Sequence, residues 1–527
     1  MNRVMAALFA ICKAKKESTR LKIVVLLFLV GMVALWAILC GVSHRAPDLD
    51  GMEELVWASS FEWGYYKHPP LPSWGLLGLV SIFGKPVWLV FFAGQLFSAL
   101  GLWFVWLLGC EFTSPKKAAI AMLMVSVIVY FSIRGTIYNH NTAQLWSIAA
   151  STWLFYRALR YQKTSSWLWL GVVSGLAMLT KYSALIQFAV FFCFLLRQGH
   201  FRQRSTQKGV LAAFIVFLVV ISPHIYWLYA HAFEPLFYAD ESIVSSGGYA
   251  DSLMGLLYFT QNTLAGLSPM LVAWIALFYW NRRSKKSARL AGSEPSGVVE
   301  KPYARELSAW DRSFLLWVGL GPIVLTVVVS AALGTWLAAS WATTFFILYG
   351  FYTFWWLSGD ERVNVRRTAI VVIAIHVLMA VGYATARGPI AYYLGRASRS
   401  TFPGAVISAQ MNRLWHEHVP NVPLRLVASD TWLGGNIATH ISPKTNVFID
   451  ADYKKSPWLN PQSALDCGAL VAYSETTGGA PRAGLKNLFD RGAWHGVVKV
   501  PWSSARSPTI VINWAIISPG PGCKSGH

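Results

Sequence analysis

The sequence predicts an all-α polytopic membrane domain followed by a small α/β domain. Of its 527 residues, 55% are hydrophobic and only 13% are charged, and the mean hydropathy is +0.44. An ordinary soluble domain carries about 25% charged residues, so this class is excluded. Apolar runs of membrane-spanning length recur up to about residue 387, and short β-rich runs follow. The chain therefore divides into a membrane domain, residues 1–387, and a second domain, residues 388–527.

The net charge of +21 does not indicate a nucleic-acid-binding protein. The Lys and Arg residues fall in loops between apolar runs, where the orientation of a membrane protein explains them. The 26 Trp and 21 Tyr residues also suit a protein with many membrane–water interfaces. Membrane lipids are therefore expected partners, and nucleic acid is not.

The first apolar run begins after a basic N-terminus that includes Lys13, Lys16 and Lys22. The run at 23–42 has the roughly 20 residues that a helix needs to cross a bilayer. We therefore interpret it as a signal anchor that is retained.

Apolar runs along the first domain predict about eleven transmembrane helices. The expected spans are 23–42, 87–109, 117–133, 142–159, 165–180, 182–196, 209–229, 264–281, 313–333, 335–357 and 368–386. The apolar segments 71–84 and 252–263 are short or interrupted, and we expect them to be interfacial or re-entrant.

The distribution of charge predicts the orientation of these helices. With the N-terminus in the cytoplasm, every later cytoplasmic loop is basic, including 197–208, 282–312 and 362–367. The opposite loops, including 48–62 and 234–251, are acidic or neutral. An odd number of spans then places the C-terminal domain outside, so we expect a multi-pass protein of the bacterial inner membrane with a periplasmic C-terminal domain.

Residues 388–527 have the pattern of one small domain of roughly 130 residues. A helix is expected at 405–416, and strands are expected at 424–427, 447–449, 469–472, 497–500 and 509–517. Cys467 and Cys523 are the two cysteines of this region. A pair confined to one domain predicts a disulfide and an oxidising compartment.

An acidic cluster follows the first span, in the predicted periplasmic loop 43–86. Asp50 and Glu53 have the i, i+3 spacing that places two side chains on one face of a helical turn. A carboxylate there can act as general base toward an acceptor hydroxyl, so both are candidate catalytic residues. Two carboxylates can also hold a divalent cation, for which Asp48, Asp50 and Glu241 are candidate ligands. A solvated acidic loop without chemistry is the alternative.

Cationic and polar residues form further clusters at the predicted outer ends of the helices. Lys67 and His68 precede a rigid Pro-Pro pair and can neutralise a phosphate leaving group, although lipid-headgroup contact explains Lys67 equally well. Lys181 breaks the positive-inside trend at a tight turn, where snorkelling to the interface is the alternative. The candidate donor-phosphate residues are Lys67, His68, Lys181 and Tyr182, and the candidate substrate-binding residues are Asp48, Tyr66, Asn139, His140, Asn141 and His224.

Several familiar motifs are absent from the sequence. It contains no Walker A motif, no G-x-G-x-x-G after a strand, no Cys/His set with zinc spacing and no G-x-S-x-G elbow. No organic cofactor is therefore expected, and a divalent metal ion is the one candidate.

Taken in order, the outer-face residues resemble a family of membrane glycosyltransferases. The matching segments are Leu49-Asp50…Glu53…Trp57, Trp63-Gly64-Tyr65-Tyr66-Lys67-His68-Pro69-Pro70-Leu71, Asn139-His140-Asn141, Gly175-Leu176-Ala177…Thr180-Lys181-Tyr182 and Pro223-His224…Trp227. The chain is similar to the bacterial GT-C glycosyltransferases of the protein-mannosyltransferase-like superfamily. These include lipid A aminoarabinose transferases and rhizobial lipopolysaccharide galacturonic acid transferases. The set is specific for the family but not for the sugar.

The resemblance implies a GT-C membrane domain that uses a polyprenyl-phosphate-linked sugar on the periplasmic side. The essential aspartate of the family's first outer loop corresponds to Asp50. Aminoarabinose transferases place a lysine directly before the Pro-Pro pair, whereas this chain has His68 there and Lys67 one residue earlier. This departure leaves open which of the two contacts the donor phosphate, and it argues against plain aminoarabinose transfer.

The expected function is transfer of a sugar from a polyprenyl-phosphate donor by inverting displacement. The expected acceptor is a lipid or glycan such as lipid A, lipopolysaccharide or another envelope glycan, or a protein. Two alternatives stay open: a glycan polymerase or ligase with a diphosphate-linked donor, and a flippase or transporter of lipid-linked sugars. A transporter typically shows inverted repeats and ionisable residues at mid-membrane, whereas the ionisable residues here cluster at outer helix ends.

The orientation can be tested by thiol labelling in intact cells. Because alternate loops are basic, a cysteine placed within 282–312 should resist an impermeant thiol reagent. A cysteine placed at an exposed position after residue 388 should react with it. Labelling within 282–312 would reverse the assigned orientation.

Overall fold

The computed structural model describes residues 2–241, 249–290, 300–335, 338–504, 506–521 and 523, with side chains for all of these except 2–18, 239–241, 249–250, 252 and 285–290. Helices dominate the first domain. They are α1 (Asn2–Ser43), α2 (Leu49–Trp57), α3 (Leu71–Phe83), α4 (Trp88–Phe112), α5 (Pro115–Ser126), α6 (His140–Tyr161), α7 (Thr164–Thr180), α8 (Ala184–Arg197), α9 (Arg204–Ala230), α10 (Glu234–Glu241), α11 (Tyr249–Leu290), α12 (Ala309–Leu333) and α13 (Glu361–Thr385).

Within the described part of the chain, six helical stretches are long and apolar enough to cross a membrane. They are Thr19–Ser43, Trp88–Phe112, Arg204–Ala230, Leu253–Ser284, Ala309–Leu333 and Glu361–Tyr393. The apolar helices α3, α7 and α8 are shorter, at 13, 17 and 14 residues. The class of a polytopic all-α membrane domain is confirmed, while the count of about eleven spans stays a prediction.

Two segments expected to span as single helices have a different structure. Residues 335–357 contain two 3₁₀-helices, Ala339–Thr344 and Tyr349–Trp355, and residues 117–133 are α-helical only as far as Ser126. The 3₁₀ segment packs closely on α5, where a Cβ added to Gly350 would lie 2.0 Å from the carbonyl oxygen of Ala121. Apolar composition indicates burial without telling lipid from protein, and irregular backbone is tolerated where protein encloses it.

The segment 252–263 is also not a separate interfacial piece, because it lies within the continuous helix α11. Its polar residues do not interrupt the helix. Asn262 donates from Nδ2 to the carbonyl oxygen of Tyr258, 2.8 Å away in the preceding turn. Internal hydrogen bonding of this kind lowers the cost of a polar side chain on an apolar helix.

The C-terminal domain contains a mixed sheet with the strand order β2-β1-β3-β5-β4. Its elements are α14 (Ala391–Tyr393), α15 (Gly404–His418), β1 (Leu426–Ser429), α16 (Thr431–Ile441), β2 (Asn446–Ile449), β3 (Ala469–Tyr473), α17 (Glu475–Gly478), α18 (Ala483–Asp490), β4 (Trp494–Pro501) and β5 (Thr509–Ile517). Strands β1, β2 and β3 are parallel, and β5 is antiparallel to β3 and β4. The small α/β domain and the positions of its strands are therefore confirmed.

Cys467 and Cys523 form a disulfide in this domain, with their Cα atoms 4.6 Å apart. The bond ties the C-terminal tail to the loop before β3. The division of the chain at residues 387 and 388 stays a prediction, since the helical stretch Glu361–Tyr393 runs across it.

The short helix α2 is the element on which the two domains meet. Its residues Met52, Leu55 and Val56 are buried. A Cβ added to Gly435 of α16 would lie 2.6 Å from the Cγ and Sδ atoms of Met52, so this crossing requires a residue without a side chain. Just before α2, the carbonyl oxygen of Pro47 accepts a hydrogen bond from the indole of α16 residue Trp432, at 3.4 Å. The acidic helix is thus held between the membrane domain and the C-terminal domain.

Candidate active site

Asp50 is the exposed carboxylate of α2 and lies in its first turn. Its Oδ2 atom accepts a hydrogen bond from Asn139 Nδ2 at 2.9 Å. Asn139 is itself held in place as the N-cap of α6, where its Oδ1 atom accepts from the backbone N–H of Thr142 at 3.0 Å. One amide side chain therefore caps a helix and orients the carboxylate of Asp50.

Glu53 lies one turn further along α2 and is buried. It accepts from Lys67 Nζ at 2.7 Å and from the Tyr66 hydroxyl at 3.3 Å. Burial raises the pKa of Glu53 above its usual value, and the Lys67 ammonium opposes that rise. Burial would lower the pKa of Lys67, but Glu53 and Tyr66 outweigh it and hold the pKa above the usual range. Lys67 is therefore a permanent cation whose charge Glu53 already neutralises.

His68 lies against His140, with ring centroids 3.8 Å apart. Burial, reinforced by the nearby Lys181 and Lys67 ammonium groups, lowers the pKa of His68 to about 3. The imidazole is therefore neutral at physiological pH. It can donate or accept a hydrogen bond, but it adds no positive charge to the site.

Glu54 is a buried carboxyl that sequence reasoning did not select. It accepts from Ser73 Oγ at 2.7 Å, and its Oε1 atom lies 3.2 Å from His140 Nδ1. Burial raises its pKa well above the usual value for glutamate. The i, i+4 spacing from Asp50 was the available signal, because it also places a side chain near the same helix face.

Lys181 follows the end of α7 and contacts a neutral partner. Its Nζ atom lies 2.5 Å from Asn141 Oδ1, and its carbonyl oxygen accepts from Gln144 Nε2 at 2.8 Å. Burial lowers the pKa of Lys181 to about 8, although the Asp50 carboxylate acts in the opposite direction. The ammonium form is therefore held in a desolvated position, and none of the described carboxylates pairs with it directly.

Tyr182 is fixed by a chain of hydrogen bonds that includes His224. The Tyr182 hydroxyl lies 2.9 Å from His224 Nε2, and His224 Nδ1 lies 2.6 Å from the carbonyl oxygen of Trp63. A carbonyl can only accept, so Nδ1 carries the proton and Nε2 accepts from the tyrosine. His224 thus positions Tyr182 from behind.

These groups surround one cavity of about 450 Å³. Its wall consists of Leu49, Asp50, Glu53, Glu54, Lys67, His68, Pro69, Asn139, His140, Asn141, Lys181, Tyr182, Ser183, Ile186, Tyr238 and Trp341. Tyr238 and Trp341 were missed by sequence reasoning. Trp341 belongs to the segment 335–357, which was wrongly expected to be a single helix, and Tyr238 carries no local motif.

Three of the candidate residues lie outside this cavity wall. Asp48 is directed toward Arg387, with Oδ1 and Nη2 4.0 Å apart. Tyr66 lines a neighbouring cavity, and His224 lies behind Tyr182. Burial raises the pKa of Asp48, and Arg387 opposes that rise.

The candidate metal ligands are not brought together in the described part of the chain. Asp48 faces Arg387 and Asp50 faces Asn139, and the side chain of Glu241 lies outside the described residues. Among the described residues, no group of three or more His, Cys, Asp and Glu side chains could hold a metal ion.

Comparison with known proteins shows which proteins this chain is similar to. The family described as dolichyl-phosphate-mannose-protein mannosyltransferase matches residues 67–227, which include Lys67, Asn139 and Lys181. The lipopolysaccharide core galacturonosyltransferase RgtA of Rhizobium johnstonii is 24% identical over 411 residues, covering 75% of this chain and 76% of the relative. ArnT from Cupriavidus metallidurans, solved bound to undecaprenyl phosphate, has a TM-score of 0.60 at 12% identity, over 93% of this chain and 97% of that one.

The same ArnT without ligand gives a TM-score of 0.59 at 14% identity. At such identities these two likenesses establish the fold, and the matching family and the RgtA relative agree with it. The chain has the fold of ArnT, and its residues 67–227 are similar to the mannosyltransferase family. Its multi-pass membrane domain and C-terminal sheet domain follow that architecture.

The pairing of Lys67 with Glu53 can be tested by stability. Lys67→Met leaves a buried carboxylate unpaired and should lower the free energy of unfolding by about 3 kcal/mol. Adding Glu53→Gln should restore most of that loss. Thermal unfolding of the purified protein in detergent measures both effects.

Lys454→Met is the matched control, because the Lys454–Glu234 pair is open to solvent, with the lysine side chain 77% exposed. Loss of this pair should lower the free energy of unfolding by less than about 1 kcal/mol. Equal destabilisation by the two Lys→Met variants would show that Lys67 and Glu53 are not a buried pair.

Proposed function

We propose that this protein is an inner-membrane glycosyltransferase that transfers a sugar from a polyprenyl-phosphate donor to an acceptor on the periplasmic side. The acceptor class is lipid A, lipopolysaccharide, another envelope glycan or a protein. One observation carries the proposal: a single cavity holds an exposed carboxylate, Asp50, and a lysine, Lys181, with which none of the described carboxylates pairs directly. Inverting transfer from a phosphate donor needs a base for the acceptor and a cation for the leaving group.

The names of the similar proteins support this class of reaction. RgtA is described as a galacturonosyltransferase of the lipopolysaccharide core, and ArnT was solved with undecaprenyl phosphate. A lipid-linked donor enters from the bilayer, so its phosphate must be met at the membrane surface. The predicted outer helix ends supply that position for Lys181.

Lys181 is the best candidate for contact with the donor phosphate. Lys67 is already neutralised by Glu53, and His68 is neutral because its pKa is lowered to about 3. Among the described side chains, the Lys181 ammonium hydrogen-bonds to the amide oxygen of Asn141, and it can exchange that contact for a phosphate oxygen. His68 and Tyr182 line the same cavity as neutral hydrogen-bonding groups. The proposed phosphate site is therefore Lys181, Tyr182 and His68, with Lys67 positioning Glu53.

Asp50 is the proposed general base. An acceptor hydroxyl oxygen attacks the anomeric carbon, its proton passes to Asp50, and the bond from the anomeric carbon to the phosphate oxygen breaks. The bond electrons leave with the polyprenyl phosphate, whose charge Lys181 stabilises. Attack from the face opposite the leaving group inverts the anomeric centre. Asn139 keeps the carboxylate of Asp50 oriented through the 2.9 Å hydrogen bond.

Asp50→Asn tests the proposed base. The substitution keeps shape and removes charge, and the residue is exposed, so folding should be unaffected. Transfer should fall by about 100- to 10,000-fold, the usual loss for a general base. The measurement is sugar transfer at matched protein levels, with monophosphate-linked and diphosphate-linked donors compared side by side.

Asp48→Asn is the matched control, because Asp48 faces Arg387 and does not line the cavity. Asp48→Asn should reduce sugar transfer much less than Asp50→Asn does. Full activity of Asp50→Asn, or greater loss in Asp48→Asn, would show that the base is a different carboxylate. Preference for a diphosphate-linked donor would favour a polymerase or ligase instead.

The charge of Lys181 predicts a pH dependence of donor binding. Its pKa is lowered to about 8, so the ammonium is present below that pH and is lost as the pH rises through it. Affinity for undecaprenyl phosphate should therefore decline on the alkaline side, with the midpoint moved upward by the bound anion. Lys181→Met should bind weakly at every pH, and Lys181→Arg should remove the decline, because arginine stays protonated up to about pH 12.

Thermal stabilisation of the full chain by undecaprenyl phosphate, measured across pH, is the readout. Lys454→Met should behave as wild type. An unchanged pH profile in Lys181→Arg would place the donor phosphate on another group.

A further inference from the structure

A second cavity lies at the carboxyl ends of the parallel strands of the C-terminal sheet. The segments that follow β1, β2 and β3 all contribute to it, through Asp430, Asp450 and Ser474 among others. After β1 the chain continues to β2, which lies on one side of β1 in the sheet. After β3 it continues to β4 and β5, which lie on the opposite side of the sheet. Adjacent strands whose connections diverge in this way leave a crevice between their carboxyl ends, where open α/β sheets bind ligands.

The cavity has a volume of about 570 Å³, which is in the range of small-molecule sites. Aromatic residues Tyr66, Trp432 and Tyr473 stand in its wall beside charged side chains. This mixture provides stacking faces together with hydrogen-bond donors and acceptors.

Ser474 indicates that the cavity is built for a polar ligand. Its side chain is 1% exposed, lines the cavity, and has an Oγ atom without a hydrogen-bond partner among the described residues. A buried hydroxyl without a partner is costly, and a ligand hydroxyl would satisfy it. Asp450 and Ala451, at the end of β2, have φ angles of 53° and 56°. Strained non-glycine backbone of this kind concentrates at binding sites.

The balance of charge in the cavity wall favours a sugar over a phosphate as the ligand. The described lining has four cationic side chains, Lys67, Lys454, Lys455 and Arg482, and five carboxylates, Glu53, Glu234, Asp430, Asp450 and Asp452. Lys455 and Arg482 both pair with Asp450, at 2.6 and 3.3 Å, and Lys454 pairs with Glu234 at 3.3 Å. No cationic excess is left to attract a phosphate. Carboxylates and paired cations suit the hydroxyl groups of a sugar, which both donate and accept.

This cavity adjoins the candidate active site. Leu49, Glu53, Lys67 and Tyr238 line both cavities, so the Lys67–Glu53 pair forms part of the wall between them. A molecule held in the second cavity would therefore lie beside the cavity that contains Asp50.

We propose that this second cavity is the acceptor subsite and holds a saccharide unit of the acceptor glycan through its hydroxyl groups. The inference rests on the proposed glycosyltransferase function. The C-terminal domain then presents the acceptor, while the membrane domain presents the lipid-linked donor.

Binding of a soluble saccharide to the full chain tests the subsite. The probe is delipidated lipopolysaccharide core oligosaccharide, titrated against the detergent-purified protein, and undecaprenyl phosphate is titrated in parallel. Ala480→Trp fills the cavity from an exposed position in its wall, and Ala405→Trp is the same substitution at an exposed position outside it. Ser474→Ala removes a hydroxyl that has no hydrogen-bond partner among the described residues.

Wild type and Ala405→Trp should bind the oligosaccharide equally. Ala480→Trp should weaken that binding tenfold or more, and Ser474→Ala about three- to tenfold, the value of one hydrogen bond. All four proteins should bind undecaprenyl phosphate alike. Equal oligosaccharide binding by Ala480→Trp and wild type overturns the subsite, as does equal weakening by the two tryptophan variants.

The oligosaccharide titration and the undecaprenyl phosphate titration test the subsite and the donor independently. If wild type binds undecaprenyl phosphate but not the oligosaccharide, the subsite is wrong and the donor chemistry stands. If wild type binds the oligosaccharide but not undecaprenyl phosphate, the proposed donor is wrong and the tryptophan variants still decide the subsite.

Discussion

Buried carboxylates on α2 must find partners, and this need organises the site. Glu53 accepts hydrogen bonds from Lys67 and Tyr66 of the following loop, and the Oε2 atom of Glu54 accepts one from Ser73 at the start of α3. An unpaired buried charge costs several kcal/mol, so the loop, α3 and α2 are constrained to assemble together. The 43–86 segment thereby gains a defined shape although its chain is irregular between helices.

Because buried carboxylates need partners, Lys67 and Lys181 have different roles. Lys67 keeps a carboxylate buried and has little charge left for a ligand, whereas Lys181 faces an amide and retains its charge below about pH 8. The motif alone would assign the donor phosphate to Lys67, the lysine near the Pro-Pro pair. Distances and partners, not proximity to a motif, distinguish a structural cation from a binding one.

The sequence predicts the class of the fold and much of the site because both leave local signals. Hydropathy marks the membrane domain, alternation marks the strands, and the i, i+3 spacing places Asp50 and Glu53 on one helix. The partners of those carboxylates are not local. The bonds from Asn139 to Asp50 and from Lys67 to Glu53 join distant or irregular segments, and no periodicity encodes them. The error at 335–357 has the same origin, because apolar composition is shared by lipid-facing and protein-enclosed segments.

The close crossing of α2 and α16 at Gly435 limits how the C-terminal domain can be separated from the membrane domain. The face of α16 that meets Met52 and Val56 is shaped to a helix of the other domain. Released from the membrane domain, the C-terminal domain would expose this apolar surface to water and tend to associate through it. A chimera that exchanges the C-terminal domain for that of a relative would have to exchange α2 with it.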